Sequence, residues 1–233
     1  MKIGILGANG TVGKEALQSN FITHAVDKKP ITLIDGSKIA TSTQISTLLQ
    51  TDAIIDFSAT EATINLLEIA NDANYQGIIV ICVTGFTSQQ IMQAKILSKN
   101  LKVAKLNNTS LGMILTLKAL RSISAALPKC DIDIIEKHRK GKKDLPSGTA
   151  LAIAKAIEES SSLAHVTTHS VRAADIIGDH LIEIRFDDQT LIISHSVNNR
   201  RCFAKGAIEI ATKLANIHFA GFIEDEQVIE LLK

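Results

Sequence analysis

Short, mainly apolar segments alternate with amphipathic segments along the first half of the chain. The apolar runs have the length and composition of buried strands, and the segments between most of them carry apolar residues at helical spacing. The strand-like runs are Ile3–Leu6, Ile31–Ile34, Ala53–Phe57, Ile78–Val83 and Val103–Leu106, and two of the helical segments are Ala62–Ala70 and Ile91–Leu97. Alternating strands and helices predict an α/β domain built on a doubly wound parallel sheet.

The predicted strands and helices follow a different order in the second half of the chain. Strand-like segments follow one another closely there, and Asp187-Asp188 between the last two is typical of a hairpin turn. The strands are predicted at Asp131–Glu136, His169–Ala173, Leu181–Phe186 and Leu191–Ser196, with helices at Thr149–Glu159 and Phe203–Ile217. This pattern predicts a smaller α+β domain with an open, mixed sheet.

This change in the order of predicted elements indicates a domain boundary near Asn107–Gly112. Residues 1–108 are expected to form the first domain, and residues 109–210 the second, substrate-binding domain. Residues 211–233 are expected to form a C-terminal tail that packs back on the first domain.

Composition and charge narrow the possible functions. The formal net charge is +1, from 25 basic and 24 acidic residues, so no general field attracts the chain to nucleic acid or to an anionic membrane. The 3 cysteines stand far apart without a C-x-x-C pair, so they give no sign of a metal site. The longest apolar run, Ile78–Val83, is too short to span a bilayer. These features predict a cytoplasmic protein with no metal, no membrane partner and no nucleic-acid partner.

The first chemical motif is a glycine-rich turn. The segment GANGTVG follows the strand KIGIL and opens a helix with KEAL. Glycine lets the backbone turn tightly and approach a pyrophosphate, and the N–H groups at a helix start attract the phosphates. The motif predicts a Rossmann-type dinucleotide site, the alternative being a glycine turn that binds no ligand. Its residues are Gly7, Ala8, Asn9, Gly10, Thr11 and Val12.

Two residues near the next predicted strand bear on the choice of cofactor. The strand ITLID ends in Asp35, which lies 22 positions after Gly13, close to the spacing of the acid that accepts hydrogen bonds from the ribose of NAD. Lys38 follows and is suited to the 2′-phosphate of NADP. The sequence therefore predicts NADH or NADPH as cofactor with a lean toward NADH, and the alternative is that Asp35 is a solvated turn residue.

The second motif is the basic stretch KHRKGKKDLPSGTA, from Lys137 to Ala150. Such a run is usually a solvated face or a partner-binding patch. Here the strand DIDIIE brings Glu136 and His138 to the end of a sheet, and Ser147-Gly148-Thr149 starts a helix whose free N–H groups favour a carboxylate or phosphate. The stretch predicts an anion site beside an ionisable histidine and lysine, which suits a small charged acid whose reaction needs a proton.

The same residues resemble the signature of the dihydrodipicolinate reductase family, E-x-H-H-R-x-K-x-D-x-P-S-G-T-A. Other segments resemble further motifs of the family in the family's order. They are GANGTVG for the glycine loop, VTGFT for the T-G segment, NNTSLG for A-N-F-S-x-G, SVRAADIIGDH for S-x-R-x-G-D-I-x-G-E-H and RRCFAKGAI for F-A-x-G-A. The resemblance runs from Gly7 to Ile208 and covers nearly the whole chain.

This resemblance implies an activity. The family reduces 4-hydroxy-tetrahydrodipicolinate to tetrahydrodipicolinate with NADH or NADPH, in diaminopimelate and lysine biosynthesis. His138 matches its catalytic histidine and Lys142 its catalytic lysine. One substrate carboxylate is expected at the start of the helix and the other at the basic stretch, so the substrate-binding positions are Gly148, Thr149, Arg139 and Lys140.

The resemblance also implies contacts to the cofactor beyond the glycine loop. They are expected at Cys82, Val83 and Thr84, and at Asn108, Thr109 and Ser110, which would close the site where the domains meet. Cys82-Val83 stands where the family usually has Gly-Thr, and Arg139 stands where it has a second histidine. A homo-oligomer, a tetramer in the family, is expected, although the segment between Ala164 and His169 is shorter than in typical members.

Two other functions stay open at the level of the sequence. Another nicotinamide-dependent dehydrogenase of the amino-acid pathways would share the glycine loop and the two-domain plan, but it would not need HRKGKKDLPSGTA. A non-catalytic dinucleotide-binding relative would keep the loop and the basic patch, but it has no reason to keep both His138 and Lys142 in register with PSGT. The motif therefore favours the reductase.

Overall fold

The computed structural model describes residues 1–33 and 37–232. Their strands are β1 (Ile3–Leu6), β2 (Ile22–Val26), β3 (Ala40–Ser42), β4 (Ala53–Asp56), β5 (Ile78–Ile81), β6 (Lys102–Lys105), β7 (Cys130–His138), β8 (Ala164–Arg172), β9 (Asp179–Phe186), β10 (Gln189–Ser196) and β11 (Gly221–Glu224). Their helices are α1 (Thr11–Ala16), α2 (Thr60–Asp72), α3 (Ser88–Leu97), α4 (Leu111–Ser124), α5 (Gly148–Ser160), α6 (Arg201–Ala215) and α7 (Asp225–Leu231), with a short 3₁₀ helix at Ile45–Gln50.

The chain divides into two compact units. The first is Met1–Ser110 together with the chain from Arg201 onward, and the second is Leu111–Arg200. In the described part of the first unit, a parallel sheet has the strand order β11-β6-β5-β4-β1-β2-β3. The order reverses between β1 and β4, and a crevice for ligands opens at the carboxyl ends of the strands at such a reversal. This confirms the predicted doubly wound sheet.

Aliphatic residues hold the first sheet between its helices. The sequence of β5, IIVI, is buried at every position, as suits a central strand covered on both faces. Leu66 and Leu67 of α2 and Ala94 of α3 join the same core cluster as Ile79 and Ile81 of β5. Burying one such aliphatic side chain stabilises the fold by roughly 1.5–3 kcal/mol.

The predicted strand at Ile31–Ile34 is wrong where the structure describes it. Residues 31–33 form no strand, and Ile34 lies outside the described residues. The strand beside β1 is β2, in a register that pairs Leu6 with Val26. Its sequence ITHAV mixes polar and apolar residues because it is only partly buried, so its composition gives a weaker strand signal than ITLI.

The C-terminal part of the chain belongs to the first unit. Helix α6 packs against β4 and β5, and β11 pairs with β6 so that Gly221 lies beside Lys102. The sequence had placed residues 201–210 in the second domain, whereas the contacts of α6 place them with the first sheet. The apolar side of α6 is buried at Ala204, Ala207, Ile210, Ala211 and Leu214.

The second unit is built on a mixed sheet in the order β10-β9-β7-β8. Strands β7 and β8 run parallel, while β9 pairs antiparallel with β7 and with β10. Helix α5 packs on β7 and β8, and α4 packs on α5 and β10. This confirms the predicted α+β unit with an open, mixed sheet, and Asp187 has φ +48° in the turn between β9 and β10.

Among the helices of residues 1–33 and 37–232, none has the length and apolar character needed to cross a membrane.

Candidate active site

The glycine loop after β1 is shaped by contacts that leave no room for side chains. Gly7 has φ +84°, and a Cβ there would lie 2.7 Å from backbone atoms of Phe57 and Ser58. A Cβ at Gly13 would lie 2.2 Å from the carbonyl oxygen of Gly7. Only glycine fits at both positions, so β1, the loop and α1 approach one another as a dinucleotide-binding turn requires.

The turn after β4 forms the facing wall. Asp56 is fully buried and accepts hydrogen bonds from the N–H of Ser58 at 2.8 Å, its hydroxyl at 2.5 Å and the hydroxyl of Thr63 at 2.6 Å. Burial raises the pKa of Asp56, and the bonds from Ser58 and Thr63 oppose that rise. These bonds fix the turn at Phe57 against Gly7.

Two cavities that share Phe57, Ser58 and Ala59 run along the carboxyl ends of the strands. One has a volume of about 320 Å³ and the other about 450 Å³. The smaller is lined also by Leu6, Gly7, Gly10, Val26, Asp27, Lys28, Thr43, Ile45 and Ala62. The larger is lined also by Thr11, Val12, Thr60, Cys82, Val83, Thr84 and Gly85. Both adjoin the glycine loop, at Gly10 and at Thr11, and together they form a crevice that could hold the two halves of a dinucleotide on either side of its pyrophosphate.

Asp27 is the acid that the structure places at this crevice. It directly follows β2, and its carboxylate accepts a hydrogen bond from the N–H of Asn9 at 2.9 Å. Lys28 is the basic residue that lines the same cavity, whereas Lys38 is exposed ahead of β3. Asp35, the acid predicted from the sequence, lies outside the described residues.

The residues predicted from the VTGFT segment follow β5. Cys82, Val83 and Thr84 all line the larger cavity. Burial, and then the charge of Asp56, raise the pKa of Cys82 well above that of a free thiol. Because only the thiolate is a strong nucleophile, Cys82 forms a neutral wall of the crevice at neutral pH.

The segment after β6 is fixed within the first unit by its own polar side chains. The hydroxyl of Thr109 donates to the carbonyl oxygen of Phe203 at 2.8 Å. The side-chain oxygen of Asn108 accepts from the N–H of Ser110 at 2.9 Å. Thr109 and Ser110 are both buried.

In the second unit, Glu136 and His138 lie at the end of β7 with their side chains on one face of the sheet, because side chains alternate along a strand. Glu136 is fully buried and accepts a hydrogen bond from Nδ1 of His138, which is itself only 7% exposed. A carboxylate can only accept, so Nδ1 carries the proton and Nε2 is left available for chemistry.

The charges around this pair set its protonation. Burial raises the pKa of Glu136, but hydrogen bonds from Arg172, Ser170 and His138 outweigh burial and bring that pKa to about 2. Burial lowers the pKa of His138, and the charges of Lys142 and Arg172 lower it further against the opposing effect of Glu136. At neutral pH Glu136 is therefore a carboxylate and His138 a neutral imidazole.

A second histidine, His180 on β9, stands beside His138. Its ring is 2% exposed and meets the ring of His138 edge to face, with 5.4 Å between centroids. Neither ring nitrogen of His180 has a hydrogen-bond partner among the described residues. Burial, followed by the charges of His138 and His195, lowers its pKa to about 4, so it is neutral. A Cβ at Gly178 would lie 3.1 Å from Nε2 of His138, so glycine leaves room beside that nitrogen.

Most of the basic stretch lies in the loop between β7, which ends at His138, and α5, which begins at Gly148. The ammonium group of Lys142 pairs with the carboxylate of Asp144 at 2.8 Å, and its side chain is 27% exposed. Arg139 and Lys140 are exposed at the start of the loop. The loop therefore presents cations of differing exposure directly after the buried histidine.

The start of α5 is held against the same carboxylate. The hydroxyl of Ser147 accepts from the N–H of Ala150 at 3.2 Å and caps the helix. The N–H of Ser147 donates to Glu136 at 3.2 Å. Gly148 is exposed, and a Cβ there would meet no described atom within 4 Å, so the amino end of this 13-residue helix is accessible at Gly148.

Some residues of these sites were not predicted from the sequence, among them Asp27, Lys28, Arg172 and His180. Asp27 was missed because β2 was missed. Arg172 and His180 lie in the quoted segment SVRAADIIGDH, but no role was assigned to them. Arg172 bonds Glu136 across 36 positions of sequence, a contact that depends on strand pairing and leaves no local signal.

Comparisons with known proteins show the family of the chain. Residues 1–109 match the family described as dihydrodipicolinate reductase, N-terminus, and residues 112–229 match dihydrodipicolinate reductase, C-terminus. The chain belongs to the dihydrodipicolinate reductase family. The dihydrodipicolinate reductases are pyridine-nucleotide-dependent oxidoreductases, so the chain is an enzyme of that class.

Relatives within the family match over nearly their full length. The 4-hydroxy-tetrahydrodipicolinate reductase of Sulfurimonas denitrificans is 32% identical over 245 residues, which cover 92% of this chain and 94% of the relative. The enzyme of the same name from Caulobacter vibrioides is 32% identical, over 91% of this chain and 90% of the relative.

Solved structures show the same fold. The dipicolinate-bound dihydrodipicolinate reductase of Paenisporosarcina sp. TG-14 superimposes with a TM-score of 0.79 at 23% identity, over 96% of this chain and 97% of that one. Aspartate dehydrogenase from Thermotoga maritima superimposes with a TM-score of 0.54 at 16% identity, over 94% of this chain and 99% of that one.

Proposed function

We propose that this member of the family reduces 4-hydroxy-tetrahydrodipicolinate to tetrahydrodipicolinate at the expense of NADH or NADPH. The observation that carries the proposal is the buried Glu136–His138 pair, followed directly by the loop of Lys142 and the accessible start of α5. That combination offers a proton-transfer group, a cation and an anion-binding helix end within one short segment. The named relatives support the choice of substrate.

The residues of the first unit fit a reduced pyridine dinucleotide. Gly7 and Gly13 allow the close packing of β1, the loop and α1 that a pyrophosphate-binding turn requires, and Gly10 has no side chain to cap the first turn of α1. A bound reduced nicotinamide would supply the hydride. Cys82, Val83 and Thr84 would border the ring as an uncharged wall.

Asp27 and Lys28 would meet the ribose next to the adenine. The Asp27 carboxylate would accept hydrogen bonds from the ribose hydroxyls of NADH and repel a 2′-phosphate. Lys28 lines the same cavity and would attract that phosphate. The pair therefore predicts use of both cofactors with a lean toward NADH.

The chemical step requires charge stabilisation and one proton. Loss of water from the substrate gives a conjugated C=C–C=N system, and addition of a hydride at its carbon end moves an electron pair toward the ring nitrogen. A cation or acid beside that nitrogen stabilises the developing charge, and the nitrogen then takes up a proton. We assign the charge stabilisation to Lys142 and the proton transfer to His138, which takes up a proton at Nε2 from solvent and passes it on while Glu136 holds the imidazole in one orientation.

The substrate is a dicarboxylate, and the loop has two places for its anions. The N–H groups of Gly148 and Thr149 lie in the first turn of α5, where the helix dipole favours a carboxylate. Arg139 and Lys140 are exposed cations suited to the second carboxylate. We also propose a homo-oligomer, as the family resemblance implies.

The decisive experiment follows the oxidation of NADH and NADPH with the substrate generated in place. Lys142→Ala and His138→Gln are each expected to lower kcat by about 10²–10⁴-fold, the usual contribution of a general acid–base group. The affinity for NADH, measured by calorimetry, should stay unchanged because neither residue lies in the first unit.

Lys143→Ala is the matched control, since Lys143 is an exposed neighbour of equal charge. It is expected to keep nearly full activity. If all three variants lost activity equally and modestly, and added salt masked the loss, the stretch would be a diffuse steering patch and the assignment would fail.

A further inference from the structure

Arg172, the last residue of β8, uses all of its hydrogen-bonding capacity around the proposed catalytic residues. Its Nη1 and Nη2 donate to the two oxygens of Glu136 at 3.0 and 2.8 Å. The same nitrogens donate to the carbonyl oxygens of Val171 at 2.8 Å and Asp144 at 2.5 Å, and Nε donates to that of Lys142 at 3.3 Å. A guanidinium has five N–H donors, so every one is engaged.

These bonds connect the parts of the site that would have to act together. Glu136 accepts hydrogen bonds from Arg172, from Nδ1 of His138 and from the N–H of Ser147 at the start of α5. The carbonyl bonds to residues 142 and 144 fix the loop on which Lys142 is carried. The side chain of Arg172 is 13% exposed, and Glu136 is fully buried, so water competes little for these bonds.

We propose that Arg172 is a positioning residue that, through Glu136, holds the His138 imidazole and the Lys142 loop in the arrangement the reaction needs. This inference rests on the proposed function, because the roles of His138 and Lys142 are those assigned above. Arg172 itself touches neither substrate nor cofactor in this account.

The chemistry of the guanidinium explains why arginine stands here. Its planar fork binds both oxygens of a carboxylate and still directs three donors elsewhere. A lysine would keep the charge beside Glu136 but could not satisfy the carboxylate and both loop carbonyls at once. Arg172→Lys therefore separates the charge of the residue from its geometry.

The pKa of His138 can test this proposal. If Arg172 only stabilised the fold, its removal would not shift that pKa in a defined direction. The groups that face its ring are Glu136 on its own strand, Arg172 on β8, His180 on β9 and Lys142 on the following loop. Arg172 lowers the pKa of His138 and Glu136 raises it. Removing one or the other should therefore shift that pKa in opposite directions.

The experiment uses the full chain with Arg172→Gln, Arg172→Lys and Glu136→Gln. The pKa of His138 is followed by NMR of the imidazole, with its signal assigned by its loss in His138→Gln. We expect the pKa of His138 to rise in Arg172→Gln, to fall in Glu136→Gln, and to change little in Arg172→Lys, where the charge is kept.

Kinetics on the same variants complete the test. Both Arg172 variants are expected to lower kcat by about 10²-fold, the effect of a displacement of about 1 Å, without changing the affinity for NADH. Arg121→Gln is the control, since Arg121 pairs with Glu159 at 3.9 Å on α4 and α5, and it should keep the kcat and the His138 pKa of the parent.

The inference is overturned if the Arg172 variants match Arg121→Gln in both readouts, or if kcat falls only as far as the folded fraction does while the His138 pKa stays fixed. A parent protein that does not reduce the substrate would refute the proposed function instead. In that case the NMR shifts still decide whether Arg172 and Glu136 control His138.

Discussion

Asp27 is the side chain on which discrimination between NADH and NADPH is expected to depend. Asp27→Ala removes the acceptor for the ribose hydroxyls and the charge that opposes a 2′-phosphate, so the ratio of kcat/KM should shift toward NADPH by roughly 10-fold, the size of one charge-assisted hydrogen bond. The measurement is steady-state kinetics with each cofactor.

Asp35→Ala is the matched comparison, because Asp35 is the acid that the spacing from Gly13 predicts. If the ratio of kcat/KM for the two cofactors shifted in Asp27→Ala and stayed unchanged in Asp35→Ala, Asp27 would be the acid that discriminates between them. The reverse result would return the role to Asp35.

His180 makes the stability of the fold depend on pH. Its pKa is about 4 in the folded protein against 6.5 for an ordinary histidine, so the unfolded chain binds the proton first on acidification. Its contribution is present in full above pH 6.5 and is lost as the pH falls toward 4, by up to about 3 kcal/mol.

The variant His180→Leu removes this titration and also removes two buried nitrogens without described partners. The free energy of unfolding, measured by chemical denaturation, should therefore fall less between pH 6.5 and 4 in the variant than in the parent. Parallel curves for the two proteins would show that His180 is protonated as easily in the folded state as in the unfolded one.

At the scale of elements, the C-terminal β11–α7 segment is fastened to the end of β6 through one carboxylate. Asp225, the first residue of α7, accepts from the backbone N–H of Asn107 at 2.9 Å and from its side-chain nitrogen at 2.6 Å. The oxygen of the same amide accepts from Lys105 at 2.9 Å. Asn107 is thus held from both directions just before the segment of Asn108, Thr109 and Ser110.

Asp225→Ala removes two hydrogen bonds to a charged acceptor and should lower the free energy of unfolding by roughly 1–3 kcal/mol. Lys95→Gln is the control, since it breaks the exposed 2.8 Å pair with Glu224 in the same segment and should cost less than about 1 kcal/mol. Equal losses in the two variants would mean that Asp225 contributes only as another surface charge.

Among the strands predicted in the first unit, the structure contradicts only Ile31–Ile34, at the residues that it describes. The predicted bounds of β1, β4, β5 and β6 agree with the structure within a residue or two, because short, mainly apolar runs are typical of buried strands. β2 was missed because ITHAV is half-polar, and ITLI was chosen because its composition suits a strand. Composition reports what a segment is able to form, whereas pairing with β1 decides what it does form.

At the scale of the whole molecule, the homo-oligomer proposed above requires a contact surface, and we propose one face of the four-stranded sheet for it. That face bears the ion pairs of Asp133 with His169 and with Arg185, both shorter than 3 Å, together with Ile192, which is 56% exposed. Ile192 lies opposite Glu183 and so points to the same side as these charges.

We expect Ile192→Glu to shift the protein toward monomers in light scattering coupled to size exclusion, since the proposed contact would have to bury the added charge. Ile96→Glu on α3 is the control, because Ile96 is 70% exposed in the first unit and should leave the mass unchanged. A protein that is monomeric before any substitution, or whose assembly survives Ile192→Glu, would rule out a contact at this face.

The sequence by itself determined the parts of this protein that depend on local order. These are the glycine loop after a strand, the alternation of strands and helices, and the spacing from His138 to Lys142 and to the capped start of α5. Each is a pattern of neighbouring residues. The backbone conformation that such residues favour, and the spacing of their apolar positions, are visible within one segment of the sequence.

Only the tertiary structure decided which distant residues meet. Strand pairing placed Asp27 beside Asn9, Arg172 on Glu136 and His180 against His138. The return of α6 and β11 to the first sheet likewise follows from contacts with β4, β5 and β6. Such contacts come from burial and from the satisfaction of polar groups across the fold, and both depend on how segments far apart in sequence pack together.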